Sequence, residues 1–114
     1  ALSSAASDVY KRQRIWVAIY NKGVFCYDRE GRLQEHLETP ERLTHNIVQD
    51  MCEKDGELWL ATDGGGINIY NYKNKTVRAI MHLPGDRHSL PVNSFACLYI
   101  DDEDNVWAGS IGED

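Results

Sequence analysis

The chain has 114 residues, enough for one small domain with a core of its own, and its 42% hydrophobic, 26% charged composition is that of an ordinary globular chain. A formal charge of −6 and a pI near 5.1, with no basic stripe to neutralise phosphates, argue against nucleic acid as a partner. The apolar runs fall far short of the roughly 20 residues that cross a bilayer, so no membrane contact is expected from this segment.

Ser3 to Gln13, SSAASDVYKRQ, resembles the in-frame translation of a transposase-type sequencing-library adapter, and residue 1 is not methionine. Residues 1–13 are therefore set aside as a non-native, disordered leader. A Ser/Ala-rich natural terminus is the alternative. Removing Asp8, Lys11 and Arg12 leaves the remainder at a net charge of −7, and the chain reads as a fragment of a longer protein.

From Arg14 the pattern is one of short strands and tight turns. Arg14 to Tyr20 is an apolar strand centred on Trp16, Asn21 to Gly23 a turn, Val24 to Tyr27 a strand, Asp28 to Arg32 a turn, and Leu33 to Leu37 a more polar outer strand. Glu38 to Asn46 contains Pro40 and reads as a loop. Ile47 to Glu53 is the next strand, followed by Lys54 to Glu57 (KDGE), whose Asp-Gly pair favours a type I′ hairpin, and by the strand Leu58 to Thr62. Asp63 to Gly65 turns the chain into Gly66 to Tyr72, Asn74 and Lys75 mark another turn, and Val77 to Met81 closes a four-stranded meander. The loop His82 to Asn93 leads to a strand at Ser94 to Ile100, a turn at Asp101 to Asn105 and a last strand that begins at Asn105. No apolar stripe of helical period competes with this reading.

The elements repeat. Glu57 to Asn71 (ELWLATDGGGINIYN) overlays Arg14 to Asp28 without a gap, pairing Trp16 with Trp59, Gly23 with Gly66 and Tyr27 with Tyr70; Asn105 to Asp114 starts the unit again at Trp107. The tryptophans lie 43 and 48 residues apart, a period of four-stranded propeller blades rather than of ankyrin, tetratricopeptide or leucine-rich repeats. The expected fold is all-β, a fragment of a β-propeller. Residues 14–46 are a partial blade lacking its innermost strand, 47–92 a complete blade, and 93–114 the start of a third. Leu58 to Thr62 is apolar on both faces, as expected of a sheet covered on both sides by neighbouring blades.

The succession of an Asn, a short apolar strand, an Asp-Gly turn and LWLATDGGGINIY resembles the two-component regulator propeller repeat, over Arg14 to Asp114. The resemblance implies an extracytoplasmic, periplasmic sensor region made of many such blades. A linker domain, one inner-membrane span and a cytoplasmic histidine kinase would follow, in proteins associated with sensing plant or host polysaccharide fragments in Bacteroidetes. It implies an oligosaccharide ligand, the remaining blades of the parent chain as partners, and the parent as a candidate homodimer. The sequence departs from the pattern at Tyr20 to Lys22, where YNK replaces DGG, and at Ala108, where the family also shows Ile or Val.

No catalytic constellation is visible, and no cofactor or metal is expected. DGGG at Asp63 to Gly66 leads into a strand, whereas a phosphate-binding Gly-rich loop must open a helix. The acidic run DDEDN could serve calcium, but it lacks the Gly and distal Glu of an EF-hand and aligns with a hairpin turn. Cys26, Cys52 and Cys97 lack zinc spacing and fall in strands, which suits apolar packing; a disulfide stays open. His36, His45, His82 and His88 read as solvated loop residues. Trp16, Trp59 and Trp107 recur at one strand position, as packing residues do. Tyr20 and Tyr99 break the repeat.

Because an antiparallel blade reverses at every turn, Tyr20 to Lys22, Glu38 to Asn46, Asp63 to Gly65 and His82 to Asn93 must share one rim. Binding residues concentrate on loops displayed by a rigid scaffold, so Tyr20, Asn46, Asp63, His88 and Asn93 are the candidate ligand-binding residues. Asn46 and Asn93 have a competing role as caps of the strands they precede. The expected function is ligand sensing. The alternatives are a protein-interaction platform and a carbohydrate-active enzyme, a lyase or glycosidase, for which Glu38, Glu41, Asp63 and Asp86 are the carboxylates on hand.

Overall fold

Ten β-strands and no helix make up the described residues, 3–7 and 14–110, of a computed structural model. Strands β1 (Ser3–Ser7), β2 (Arg14–Ala18), β3 (Val24–Tyr27) and β4 (Leu33–Leu37) form one antiparallel sheet, paired in chain order. A second is built the same way from β5 (Val48–Lys54), β6 (Glu57–Thr62), β7 (Ile67–Asn71) and β8 (Val77–Ile80), and β9 (Cys97–Ile100) pairs with β10 (Val106–Gly109) in a third. The first strand of each sheet lies beside the first strand of the next, β1 by β5 and β5 by β9. That is the arrangement of propeller blades around an axis.

The expectation that residues 1–13 stay out of the fold and leave the first blade without an innermost strand is corrected. Ser3–Ser7 pairs antiparallel with β2, from Ser3 opposite Ala18 to Ser7 opposite Arg14. Ladder pairing is a main-chain property: the inner edge of β2 offers N–H and C=O groups, and an extended segment within reach can satisfy them whatever its side chains. Residues 1, 2 and 8–13 of that leader, and 111–114 of the third blade, lie outside the described residues.

Turn chemistry explains the short strands. Asp55 and Gly56 both have positive φ (51° and 78°), the type I′ conformation that the Asp-Gly pair favours. Gly23 (φ 78°) and Gly66 (φ 74°) occupy the same place in successive blades, and a Cβ there would lie 2.1 Å from the Leu37 carbonyl oxygen or 2.2 Å from that of Ile80. The end of the last strand of the same blade can approach only a glycine. The β3–β4 and β7–β8 turns are held by matching side chains: Asp28 Oδ1 accepts the Glu30 and Arg32 amides, and Asn71 Oδ1 accepts those of Lys73 and Asn74.

Packing follows from sheets that are apolar on both faces. One face of the first sheet, with Trp16, Ala18, Val24, Cys26 and Leu37, is buried against Leu58, Leu60 and Tyr70 of the second. The opposite face of the second sheet, with Ala61, Ile67, Ile69 and Trp59, packs on Phe95, Leu98, Val106 and Ala108. Trp16 meets Tyr70 edge to face at 5.4 Å and tilts over Tyr72 at 6.4 Å, contacts that add about 0.5 to 1.5 kcal/mol to the area buried. The Tyr70 hydroxyl donates to Glu35 Oε2 across the junction at 2.7 Å; burial first, then this carboxylate, push the phenol pKa up. Arg42 and Lys75 stand at 3.9 and 3.7 Å from the same carboxylate.

The tryptophans are equivalent in register but not in burial. Trp16 is wholly buried, Trp59 is partly so, and Trp107 is 62% exposed, which corrects the reading of all three as core. Each ring is covered by the sheet that follows it, and the cover diminishes from four strands to two to none among the described residues. The indole N–H groups of Trp16 and Trp59 meet no acceptor among those residues, whereas that of Trp107 donates to Asp101 Oδ2 at 2.9 Å. The cysteines, all free, show the same gradient, with Cys26 buried, Cys52 half-buried and Cys97 exposed rather than packed. Burial, ahead of the neighbouring Asp50 and Glu53, pushes the Cys52 thiol up to about 11. Burial also raises that of Cys26, against the opposing charge of Arg14.

Two outcomes follow. Trp16→Ala should cost about 3 to 5 kcal/mol in denaturant unfolding as a large core truncation, and Trp107→Ala no more than about 0.5 kcal/mol. Alkylation of the native chain at mildly alkaline pH should modify Cys97 first, with Cys26 and Cys52 reacting only on unfolding, as peptide mapping would show; early modification of Cys52 would contradict its burial.

Candidate functional site

The rim expected from topology is assembled by main-chain hydrogen bonds between each blade's second turn and the loop that starts the next. The Asn46 carbonyl accepts the Gly23 amide at 2.9 Å, and in the next repeat the Asn93 carbonyl accepts those of Gly66 at 2.8 Å and Gly64 at 3.1 Å. The Asp63 amide donates to the Ile47 carbonyl, and Phe95 donates to that of Thr62, both at 2.9 Å. The recurring Asn residues thus hold a loop to a turn through their backbone.

Their side chains are equally engaged. Asn46 accepts the Thr39 amide at 2.8 Å and donates to the Thr39 hydroxyl at 2.8 Å, while Asn93 Oδ1 accepts the His82 amide at 2.7 Å. Both therefore close the long loop that precedes their strand, an accounting of loop amides that burial requires. Asn68, wholly buried on β7, does similar work: it accepts the Thr44 amide and donates to the Thr44 hydroxyl, which in turn donates to the Gly65 carbonyl at 2.6 Å. Thr62, also buried, accepts the Gly65 amide and donates to the Gly66 carbonyl.

Tyr20, Asp63 and His88 are the candidate residues that face solvent. Tyr20, 63% exposed, and Asp63 occupy the same turn position in successive blades, and Asp63 Oδ1 accepts the Ser94 hydroxyl at 2.9 Å. His88 lies on the 82–93 loop, its amide bonded to Asp86 Oδ1 at 2.9 Å. Of the carboxylates considered for an enzyme, Asp63 and Asp86 are held in these contacts, and Glu38 stands 3.7 Å from His36 Nδ1.

Three of the four histidines are not the solvated residues expected. His36 stacks on Phe25 at 3.8 Å between ring centroids and its Nε2–H donates to the Lys22 carbonyl; His82 Nδ1–H donates to the Leu90 carbonyl. His45 Nδ1 accepts the Ile47 amide at 3.0 Å, and its ring lies against Gly64, where a Cβ would meet it at 3.1 Å. Sequence reasoning also passed over Asp50, whose Oδ2 accepts the Leu98 amide of the next blade at 2.9 Å, and Ser94. Asp50 carries no signal of its own, since Gln49, Glu53 and Lys54 make the same strand polar. On the opposite rim Asp101 is bound up in its turn: the Trp107 indole N–H, then the Asn105 amide, hold its carboxyl at about 2.

The model of the two-component regulator propeller repeat matches residues 42–64 and 89–112, two segments that each run from an inter-blade loop through a blade's first two strands. A histidine kinase of Formosa agariphila is 27% identical over 101 residues, which cover 84% of this chain and 7% of that protein. Two solved structures from B. thetaiotaomicron share the fold. The extracellular domain of a hybrid two-component system superposes with a TM-score of 0.76 at 21% identity, over 94% of this chain and 15% of that one. That of a one-component system gives 0.70 at 22% identity, over 95% and 14%. The chain thus spans a small part of each of these relatives. Over those two segments the chain is similar to the two-component regulator propeller repeat, one match in each of two successive blades.

Proposed function

We propose that this chain is part of the ligand-sensing region of a two-component sensor, displayed outside the cytoplasm, where it recognises an oligosaccharide and relays the signal to a histidine kinase elsewhere in the same protein. The observation that carries the reading is the rim itself: Tyr20, Asp63 and His88 stand exposed on turns and loops that hydrogen bonds to Asn46, Asn93 and Thr44 hold in place. An exposed phenol ring offers a flat apolar face with a polar tip, and a carboxylate with one oxygen bonded to Ser94 presents the other to sugar hydroxyls. The extracellular setting of the two structural relatives and the kinase named among the sequence relatives support the compartment and the relay. In this reading the chain binds and carries out no chemistry. Asn46 and Asn93 serve as the frame of the site.

The test is alanine substitution in the full-length protein, read by calorimetry with plant and host oligosaccharides and by thermal unfolding. Tyr20→Ala, Asp63→Ala and His88→Ala should each weaken binding about tenfold, or about 1.4 kcal/mol, with stability within about 0.5 kcal/mol of the parent. Asn46→Ala and Asn93→Ala should instead lower stability by about 1 to 3 kcal/mol, because each leaves a loop amide without its acceptor. Affinity that survives the first three changes but is lost on substitution in 54–57 or 101–105 would place recognition on the opposite rim.

A further inference from the structure

His45 leads into β5, and its half-buried ring lies over the β6–β7 turn of the same blade, next to Asp63. Its Nδ1 accepts the Ile47 amide at 3.0 Å. A backbone N–H only donates, so Nδ1 carries no proton and the hydrogen of the neutral ring sits on Nε2. That nitrogen meets no acceptor among the described residues. The fit around the ring is close: a Cβ on Gly64 would lie 3.2 Å from Nε2, and one on Gly65 would lie 2.8 Å from the Cβ of His45. Nε2 is thus set against the residue that follows Asp63. One oxygen of that carboxylate accepts the Ser94 hydroxyl, and the other has no partner among the described residues.

A structural role accounts for half of this side chain. An asparagine in its place would satisfy the Ile47 amide equally well, since Asx side chains accept an amide two residues on in many turns. Only the imidazole adds a donor on its far side. The residues that frame the rim, Asn46 and Asn93, recur from blade to blade, whereas the counterpart of His45 before Asn93 is Val92. His45 behaves like the displayed residues, which differ between blades.

We propose that His45 and Asp63 form a donor–acceptor pair that selects a hydroxyl group of a neutral sugar, an inference that rests on the reading of this rim as an oligosaccharide site. A sugar hydroxyl both donates and accepts. It gives its hydrogen to the open oxygen of Asp63, a charge-assisted bond, and receives the Nε2–H of His45 on a lone pair. Groups of other chemistry fit one partner and offend the other. A ligand carboxylate is repelled by Asp63, which has no ion-pair partner among the described residues, and an ammonium group leaves Nε2–H without an acceptor. Because Nδ1 stays committed to Ile47, the donor is oriented before the ligand arrives.

The test is calorimetry and thermal unfolding of the full-length protein, with neutral oligosaccharides released from plant and host polysaccharides and their uronic-acid counterparts as probes. His45→Asn and His45→Gln divide the two functions of the ring, since the amide oxygen of the first takes the place of Nδ1 and the amide nitrogen of the second that of Nε2. His45→Asn should melt as the parent does and bind neutral oligosaccharides at least about tenfold more weakly. His45→Gln should melt at a lower temperature, because the Ile47 amide loses its acceptor, yet keep more of the affinity than His45→Asn. A His45→Asn variant that binds like the parent would overturn the proposal, as would equal losses of affinity in the two variants; either result leaves the rim standing as an oligosaccharide site. A parent that binds only the uronic-acid probes would refute the pairing with a neutral sugar and spare the sensor reading. A parent that binds none of the probes would refute both.

Discussion

Everything in this structure depends on the fact that its sheets are apolar on both faces. A four-stranded meander of this size cannot leave Leu58 and Leu60 in water on one side and Ala61, Ile67 and Ile69 on the other, so each sheet needs a neighbour on each side. The second sheet has both. Trp16 reaches it from one direction and Phe95 and Leu98 from the other, and it holds most of the fully buried side chains. The first and third sheets have one neighbour each among the described residues, and their residues at matching positions are correspondingly exposed. Stability here belongs to junctions more than to blades, as in repeat proteins generally.

The rim is a consequence of the same stacking. Sheets that pack face to face bring the second turn of one blade beside the entry loop of the next, and the amides exposed there must find acceptors. Asn46 and Asn93 provide them with the backbone carbonyl on one side and the side-chain oxygen on the other. The two repeats then diverge around a common frame. The second blade secures its loop with a buried polar clamp, Asn68 to Thr44 to Gly65, and presents Asp63; the first has Phe25 in the place of Asn68, stacked on His36, and presents Tyr20. The frame is thus common to both blades, and the residue displayed at the turn is acidic in one and aromatic in the other.

Polar links between blades add direction to the apolar packing. Asp50 on β5 accepts the Leu98 amide on β9, so adjacent innermost strands are coupled by a carboxylate. Glu35 on β4 accepts the Tyr70 hydroxyl across the first junction with Arg42 and Lys75 close by. A hydrogen bond tied to one acceptor tolerates less sliding than an apolar contact, so these links fix the register of one blade on the next.

Much of this was legible in the chain itself. Strands β3 and β4 fall where the turn residues bound them, Asp55-Gly56 adopts the conformation that its side chains favour, and the 43-residue overlay of Trp16 on Trp59 holds in the pairing register. These features rest on local conformational preference and on a period, both of which are written into neighbouring residues. The repeated Asn likewise announced a structural role by recurring. Burial is another matter. Three tryptophans identical in register end up buried, partly buried and exposed because burial is decided by what lies on the far side of the sheet. Ser3–Ser7 became a strand because the edge of β2 offered main-chain partners, which no side-chain pattern records. His36, His45 and His82 found backbone partners within their own turns, loops and sheet, and Asp50 and Glu35 found theirs on the next blade only once the sheets had stacked; single hydrogen bonds of either kind leave no periodic trace in sequence. The sequence alone determined the repeat, its turns and the strands from Arg14 onward; tertiary packing alone decided which faces are covered and which polar side chains stay exposed, because both depend on contacts between residues far apart along the chain.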